Sequence, residues 1–401
     1  MLRIILGRAG SGKTHSCLNE ICRELRRDPI GPPLLLVVPQ ESTFAMEREL
    51  LGRSGLRAIS RAEVLGFRRL RWRVLQNVGG VSEPPLSDQG RKFLLASLTQ
   101  TYRDELAIFR DVVHHPGFLD KLNRVIVELM ESGSGLGSEP SWLTHNINPD
   151  DGIVDAKAHD LALLLQAYQR ELNRRGLTDD SWGWAEASAG IVQTDFLHDA
   201  QVWIDGFQGF APYELALIAS LLQKANQVTI TLRLDPAIFS NIDLESESQA
   251  RDGAIKEAIA CASSYVFAHS ATALQTLIDL AWDLAVPYTI DTLPVRTQIL
   301  GTQIQGSSGL RGEAIAAQVE LYRFSNSEEL AYLEEQLCNP PLNPIPLEGA
   351  IESIAIAPRA NYRDEAMVVA RFLVGQAREH GVRWKDMAVA ASDLALYGEL
   401  L

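Results

Sequence analysis

The residues with the clearest chemical pattern lie at the start of the chain. The apolar run 2–6 leads directly into Gly7-Arg8-Ala9-Gly10-Ser11-Gly12-Lys13-Thr14. This G-x-x-x-x-G-K-T spacing is typical of a phosphate-binding loop, in which glycines allow a tight turn and backbone N–H groups point at phosphate oxygens. Lys13 is expected to reach the β- and γ-phosphates and the Thr14 hydroxyl to bind Mg²⁺. The sequence therefore predicts that residues 7–14 bind ATP with Mg²⁺.

A second segment, much later in the chain, complements this loop. The apolar run 201–204 ends in Asp205, and Gly206 follows. An acid at the end of a buried strand is the usual second contact to Mg²⁺ in phosphate-loop NTPases. Active helicases usually carry Glu where Gly206 stands, and the loss of a general base costs about 10²–10⁴ in rate. We therefore expect nucleotide binding with slow or absent hydrolysis.

A third pattern combines arginines with aromatic residues. Residues 52–73 contain seven arginines and one acid, and Phe67 and Trp72 are interleaved with the arginines. Aromatic rings can stack on bases while arginine binds phosphates or a guanine edge. The same spacing also fits an amphipathic helix in which Val64, Leu65 or Phe67, and Trp72 point inward and the arginines are in solvent. The residues alone leave both interpretations open.

The elements that would position these residues alternate between strands and helices. Apolar runs at 2–6, 34–38, 201–204 and 227–234 read as buried parallel strands, and a short strand is expected at 57–60. Ligands of such sheets bind at the carboxyl ends of the strands. The loop 39–44, which follows the second strand, should therefore lie on the same edge as the phosphate loop.

Two further regions have different patterns. Helical periodicity at 89–102, 117–131 and 155–175 predicts a helical insertion in the α/β domain. Beyond residue 319 a second α/β unit is expected. Its strands are predicted at 320–324, 353–357 and 387–391, and its helices at 327–337 and 362–380.

Composition limits the class of protein. The chain has 401 residues, of which 46% are hydrophobic and 22% are charged, with a net charge of −14. No apolar run reaches the length of a membrane span, and the four cysteines form no C-x-x-C pair. A cytoplasmic protein with reduced thiols is expected. Because the net charge is negative, any contact with DNA must be local.

Four segments together resemble the N-terminal region of AddB, the B subunit of the bacterial AddAB helicase–nuclease family. They are 7–14, 38–47, 202–214 and the segment around 355–391. The resemblance implies an α/β fold, namely a superfamily 1 helicase-like P-loop domain with a helical insertion plus part of a second α/β helicase-like domain. The P-loop domain would occupy 1–80 and 196–305, the insertion 81–195, and the second domain 310–401, which no closing element completes.

The resemblance also implies a role in DNA-break repair. In this family the A subunit is the active helicase, and the heterodimer acts on single-stranded and duplex DNA ends during homologous recombination. The degenerate motor of the B subunit surrounds the 3′-ended strand and recognises the Chi hotspot. The DNA-facing residues implied are Glu41, Thr43, Phe67, Arg69, Trp72 and Phe210.

Two features qualify this resemblance. The family often has Gln where Glu41 stands, and a carboxylate accepts from cytosine N4 instead of bonding adenine bidentately. The role of Glu41 and the hotspot sequence therefore stay open. The family also carries an iron–sulfur cluster in a C-terminal nuclease domain, for which residues 1–401 supply no ligands. We expect that cluster only outside this chain, and no nuclease activity within it.

Two other functions compete with this interpretation. An active helicase or translocase would need a different base, for which Glu41 and Glu214 are the nearest candidates. A small-molecule kinase would need only the phosphate loop, but a helical insertion and a second α/β unit do not suit so small an enzyme.

Overall fold

The computed structural model divides the chain into two compact units, Met1–Ser325 and Asn326–Leu401. The residues that it describes are 1–56, 59–79, 85–131, 152–179, 183–240, 242, 249–262, 266–293, 324, 327–338, 351–391, 394–398 and 400. The domain boundaries expected near residues 80 and 310 lie outside this part of the chain.

Strands and helices alternate along most of the first unit. The described strands are β1 (Leu2–Gly7), β2 (Leu34–Val37), β3 (Ala62–Leu65), β4 (Pro85–Leu86), β5 (Thr178–Asp179), β6 (Gln201–Ile204), β7 (Gln227–Arg233) and β8 (Tyr288–Thr292). The described α-helices are α1 (Lys13–Arg27), α2 (Thr43–Ser54), α3 (Phe67–Asn77), α4 (Asp88–Thr101), α5 (Phe109–Val112), α6 (Phe118–Glu131), α7 (Ile153–Arg175), α8 (Trp184–Gln193), α9 (Pro212–Lys224), α10 (Gln249–Ala262), α11 (Ala268–Asp283), α12 (Glu328–Cys338), α13 (Tyr362–Glu379) and α14 (Leu394–Tyr397).

A six-stranded parallel sheet forms the centre of the first unit. Its strand order is β3-β2-β6-β7-β1-β8, and every pairing in it is parallel. The four apolar runs predicted as strands all belong to it, and their burial on both faces explains why they read as continuous hydrophobic segments. The α/β class with a parallel sheet is therefore confirmed.

Three expected strands are not where the sequence placed them. Instead of 57–60, the third strand is β3, which begins after Arg61 and ends just before Gly66. At 353–357 no strand forms among the described residues. At the start of this segment the backbone N–H groups of Glu352 and Ser353 donate to the Glu329 carboxylate. At 387–391 there is likewise no strand in the described chain, and Met387 N–H closes a turn. Of 320–324, only Phe324 is described, in a turn.

The helical part between β3 and β6 has its own core. Helices α4, α6 and α7 pack through buried leucines such as Leu95 and Leu164. A two-stranded parallel ladder of β4 and β5, which the sequence did not predict, lies beside them. The Arg91 guanidinium binds both oxygens of Asp179 at 2.7 and 2.8 Å, and both side chains are buried. Such a bidentate pair fixes α4 against β5.

The second unit contains α12, α13 and α14. Asn361 caps α13 by accepting a hydrogen bond from Asp364 N–H at 2.9 Å, which satisfies one of the free N–H groups of the first turn. Among the described residues of the whole chain, no helix is both long and apolar enough to span a bilayer.

Candidate nucleotide-binding site and nucleic-acid face

The loop between β1 and α1 has the backbone geometry of a phosphate cradle. Gly10 and Gly12 have positive φ angles of 77° and 93°, where a residue with a Cβ is strained. A Cβ on Gly7 would lie 2.4 Å from Ser11 Oγ. Gly12 is the N-cap of α1, and in the described structure no side chain caps this helix and no acid occupies its first turn. The first N–H groups of α1 are therefore available to an anion.

Lys13 folds back over this loop. Its Nζ atom donates to the carbonyl oxygens of Gly7 and Arg8 at 2.7 and 2.8 Å. Burial lowers the pKa of Lys13 to about 8; the charge of Arg233 adds to this lowering, and that of Asp205 opposes it. Both hydrogen-bond acceptors are neutral, so the ammonium charge is available to a phosphate group.

The fold brings Thr14 and Asp205 together across 191 positions of sequence. The Thr14 hydroxyl donates to Asp205 Oδ2 at 2.7 Å, and the Thr231 hydroxyl donates to Asp205 Oδ1 at 2.5 Å. Asp205 follows β6 directly and is only 5% exposed. The two oxygen ligands predicted from the sequence thus lie side by side at the carboxyl end of the sheet.

This donor set fits Mg²⁺ with a nucleotide better than a metal site made of protein alone. Within the described residues, no group of three or more His, Cys, Asp or Glu side chains could hold a metal ion. Mg²⁺ commonly takes one or two protein ligands and completes its shell with phosphate oxygens and water. The buried Ser11 Oγ, moreover, has no hydrogen-bond partner in the described part of the chain, so the loop retains a donor for a phosphate oxygen.

The side chains of the loop differ in exposure. Arg8 is 7% exposed, and its Nη2 atom donates to Asp235 Oδ2 at 2.6 Å in a buried ion pair. Ala9 is exposed at the tip of the loop. The Arg8 side chain therefore joins the loop to the segment after β7. Because this side chain is paired with Asp235, the group of Arg8 that could contact a nucleotide is its backbone.

Three neighbouring strand ends form a continuous edge beside this loop. Val38 N–H donates to Leu65 O at 3.0 Å, and Asp205 N–H donates to Val37 O at 2.9 Å. A Cβ on Gly206 would lie 3.2 Å from Pro39 Cδ. The segments that follow β2, β3 and β6 consequently adjoin. Because β1 and β2 belong to the same parallel sheet, the loop 39–44 lies on the same edge as the phosphate loop, as the sequence predicted.

Aromatic rings fill the junction of these segments. The Phe67 ring lies 5.2 Å from that of Phe207 and 6.4 Å from that of Phe210, and the rings of Phe207 and Phe210 are 5.7 Å apart. Phe67 is 4% exposed, whereas Phe207 and Phe210 are partly exposed. Phe67 is thus the buried member of the cluster, and the rings of Phe207 and Phe210 are partly accessible to solvent.

The arginines of α3 are not equivalent. Arg71 is buried, with its guanidinium 4.7 Å above the Trp184 ring. Arg68 pairs with Glu131 at 3.2 Å. Arg69 is exposed, and Trp72 is 49% exposed. The helix therefore matches neither interpretation in full. Phe67 packs inward, as in the amphipathic helix, and Trp72 is accessible, as the DNA interpretation requires. Arg69 is exposed, whereas the burial of Arg71 was predicted by neither.

The loop before α2 adjoins this junction. The residues predicted to face DNA are Glu41, Thr43, Phe67, Arg69, Trp72 and Phe210; this predicted set is called the nucleic-acid face, and Phe67 is its buried member. Glu41 is exposed, and the Thr43 hydroxyl donates to the carbonyl of Gln40 at 2.8 Å. Phe44, which sequence reasoning did not single out, is 75% exposed. The sequence signal for Phe44 was an aromatic residue in the segment that follows a strand of a parallel sheet.

Comparison with known families decides the relationship. Residues 4–298 match the family model described as ADDB, N-terminal. The chain belongs to the AddB family. The resemblance drawn from 7–14, 38–47 and 202–214 is confirmed.

Curated relatives extend the similarity over the whole chain. Proteins named as the B subunit of an ATP-dependent helicase/deoxyribonuclease, from Symbiobacterium thermophilum and Heliobacterium modesticaldum, are each 33% identical over 100% and 99% of the chain. One named in the same way from Moorella thermoacetica is 32% identical over 100% of it. The chain spans only 31%, 29% and 31% of these relatives' lengths.

Sequence reasoning within this AddB-family chain missed contributions from β7 and α11. Thr231 donates to Asp205, Arg233 lies opposite Gly7 in the sheet, and Asp235 pairs with Arg8. Their signal was polar residues at alternate positions, from the otherwise apolar β7 into the segment after it. A cleft of about 230 Å³ beside Phe210 was also missed; it is lined by Gly209, Leu215 and residues of α11 such as His269. Only the folded chain brings these segments together.

Proposed function

We propose that this chain is the N-terminal, helicase-like part of the B subunit of a heterodimeric ATP-dependent helicase–nuclease, which resects double-strand DNA breaks for homologous recombination in the cytoplasm. Membership of the AddB family supports this assignment. So do the names of relatives that align with the whole chain.

The first part of the proposal is a nucleotide site. Residues 7–14 would hold the phosphates of ATP through backbone N–H groups and Lys13, and Thr14 with Asp205 would hold Mg²⁺. The contact that carries the proposal is the 2.7 Å hydrogen bond between the Thr14 hydroxyl and Asp205. When bound, the metal would neutralise charge on the terminal phosphates.

The second part is that hydrolysis by this chain is slow. The residue after Asp205 is Gly206, with φ of 89°, which offers no base. Glu214 is engaged elsewhere, because its Oε2 atom accepts from Ala211 N–H at 2.9 Å and so caps α9. Burial raises the pKa of Glu214, and the hydrogen bond from Ala211 N–H opposes that rise.

The third part is contact with DNA through the nucleic-acid face. Arg69 would bind phosphate, Trp72 and Phe210 would stack on bases, and Phe67 would support Phe210 from below. Glu41 and Thr43 would contact base edges of the 3′-ended strand and take part in recognising Chi. Exposure of Arg69 and Trp72 supports this assignment.

The remaining parts concern the whole protein. The P-loop domain would comprise 1–80 and 196–305, the helical insertion 81–195, and the second helicase-like domain would begin at 310. The partners would be the A subunit of the helicase–nuclease and single-stranded and duplex DNA ends. Nuclease chemistry and an iron–sulfur cluster would belong to sequence outside these 401 residues.

An active helicase is the second candidate, and the paired Thr14 and Asp205 favour it. The test is ATP turnover by the full natural protein without its partner, with and without single-stranded DNA, beside Lys13→Ala. The proposal predicts bound nucleotide with turnover far below the usual roughly 1–10³ per second. DNA-stimulated turnover in that range, abolished in Lys13→Ala, would establish an independent motor instead.

A further inference from the structure

Arg233 places a positive charge beside the phosphate loop. It is the last residue of β7, and in the parallel register of β7 and β1 it lies opposite Gly7, the first residue of the loop. It is half-buried, and its buried Nε atom has no hydrogen-bond partner among the described residues. A buried N–H group without an acceptor is costly, and an anion bound here would supply one.

The direction of Arg233 follows from the pleat of β7. Side chains two apart in a strand share a face of the sheet. Thr231 uses that face to donate to Asp205, which in turn accepts from Thr14. Arg233 therefore lies on the metal-binding face, one pleat closer to the carboxyl edge than Thr231. Its charge also reaches Lys13, whose pKa it helps to lower.

We propose that Arg233 binds the terminal phosphate of the nucleotide and lets this site distinguish a nucleoside triphosphate from a diphosphate. This inference rests on the proposed nucleotide site. The loop N–H groups would hold the inner phosphates, and Lys13 would span the last two. A guanidinium beside Lys13 on the metal side meets the outermost phosphate, and its planar fork suits two phosphate oxygens at once.

A terminal phosphate would also change the electrostatics of the site. Lys13 and Arg233 are two cations close enough to interact, and the Asp205 carboxylate acts on Lys13 more strongly than Arg233 does. Like charges repel each other less when an anion contacts both. A terminal phosphate would contact both. A nucleoside diphosphate would contact Lys13 alone and leave Arg233 without a phosphate partner.

The test measures ATP and ADP binding to the full natural protein with Mg²⁺, by equilibrium dialysis, for wild type, Arg233→Ala and Arg233→Lys. Arg233→Ala should weaken ATP binding roughly tenfold to hundredfold, as expected for charge-assisted hydrogen bonds, and ADP binding less than about threefold. Arg233→Lys should fall between wild type and alanine, because charge remains but the fork is lost. Arg27→Ala, at a side chain 79% exposed in the last turn of α1, is the charge-matched control and should bind both nucleotides normally.

The outcomes separate this inference from the proposal beneath it. Suppose that the wild type binds ATP through Lys13. The role of Arg233 is then refuted if Arg233→Ala binds ATP with unchanged affinity, or if it loses affinity for ATP and ADP equally while melting at the wild-type temperature. The nucleotide site remains in both cases. If wild type binds neither nucleotide, or Lys13→Ala binds both normally, the nucleotide site itself is refuted. Should Arg233→Ala melt early, the ATP-to-ADP ratio of Arg233→Lys decides.

Discussion

The two sides of the sheet's carboxyl edge are built differently. On the β1–β7 side, the phosphate loop is one continuous segment whose positive φ angles and helix N-terminus present backbone N–H groups. On the β2–β3 side, the nucleic-acid face joins side chains from three segments, which follow β2, β3 and β6. One side thus depends on backbone geometry and the other on side-chain exposure, and β6 belongs to both through Asp205 and Phe210.

The largest expected effect separates the two sides at Lys13. Lys13→Ala should weaken ATP binding by roughly 1.5–3 kcal/mol, the value of a hydrogen bond to a charged group, and leave single-stranded DNA binding unchanged. Lys121→Ala, an exposed lysine of α6, is the control. Titration with a fluorescent nucleotide and with an oligonucleotide measures both affinities. Equal loss of the two would mean that the sides are not independent.

The contrast also explains how far the sequence could be interpreted. Residues 7–14 are contiguous, and their spacing alone specifies the turn, so the loop and the strands around it could be predicted. Asp205 was found because an acid ends an apolar strand. Arg233 and Thr231 were missed, because their relevance depends on β7 pairing beside β1, which local periodicity does not reveal.

On the β2–β3 side, the sequence did not predict which side chains are buried and which are exposed. Arg69 and Arg71 are indistinguishable in composition, yet Arg69 is exposed and Arg71 lies over the Trp184 ring. The strands expected at 353–357 and 387–391 failed for a related reason, since a strand requires a hydrogen-bonding neighbour that local sequence does not identify.

Replacing Trp72 should have the reverse pattern to replacing Lys13: DNA binding should weaken and ATP binding should not change. Trp72→Ala should weaken binding of single-stranded DNA by roughly 1–3 kcal/mol, the value of stacking on one base, with no change in ATP affinity. Trp282 of α11 is a matched control, being 48% exposed against 49% for Trp72. Anisotropy with a labelled oligonucleotide measures the difference. The same loss in Trp282→Ala would show that exposed tryptophans bind DNA nonspecifically.

The strand shared by both sides can be tested at Gly206. Its φ is 89°, and a Cβ would meet Pro39 Cδ at 3.2 Å, so Gly206→Ala should destabilise the fold by roughly 1–2 kcal/mol. Gly209→Ala, where a Cβ meets nothing within 4 Å, should cost much less. Urea unfolding measures both values. Equal stability of the two variants would show that the turn after Asp205 relaxes freely.

The nucleotide side should also respond to pH through Lys13. Burial lowers its pKa to about 8, and only the protonated ammonium attracts phosphate. ATP affinity should therefore be steady below about pH 8 and fall as pH rises above it, approaching tenfold per unit. Lys13→Ala should bind weakly with a flat profile over the same range. A wild-type profile that stays flat to about pH 9.5 would contradict the lowered pKa.

The smallest expected effect distinguishes two adjacent arginines of the nucleic-acid side. Arg69 is exposed, whereas Arg68 pairs with Glu131 at 3.2 Å. If Arg69 binds a phosphate, Arg69→Ala should reduce the salt dependence of single-stranded DNA binding by about 0.7 in the slope of log K against log salt concentration. Arg68→Ala should change it less, because Glu131 already neutralises part of its charge. Identical slopes for the two variants would mean that the net charge of α3, and not the exposure of Arg69, determines the contact with DNA.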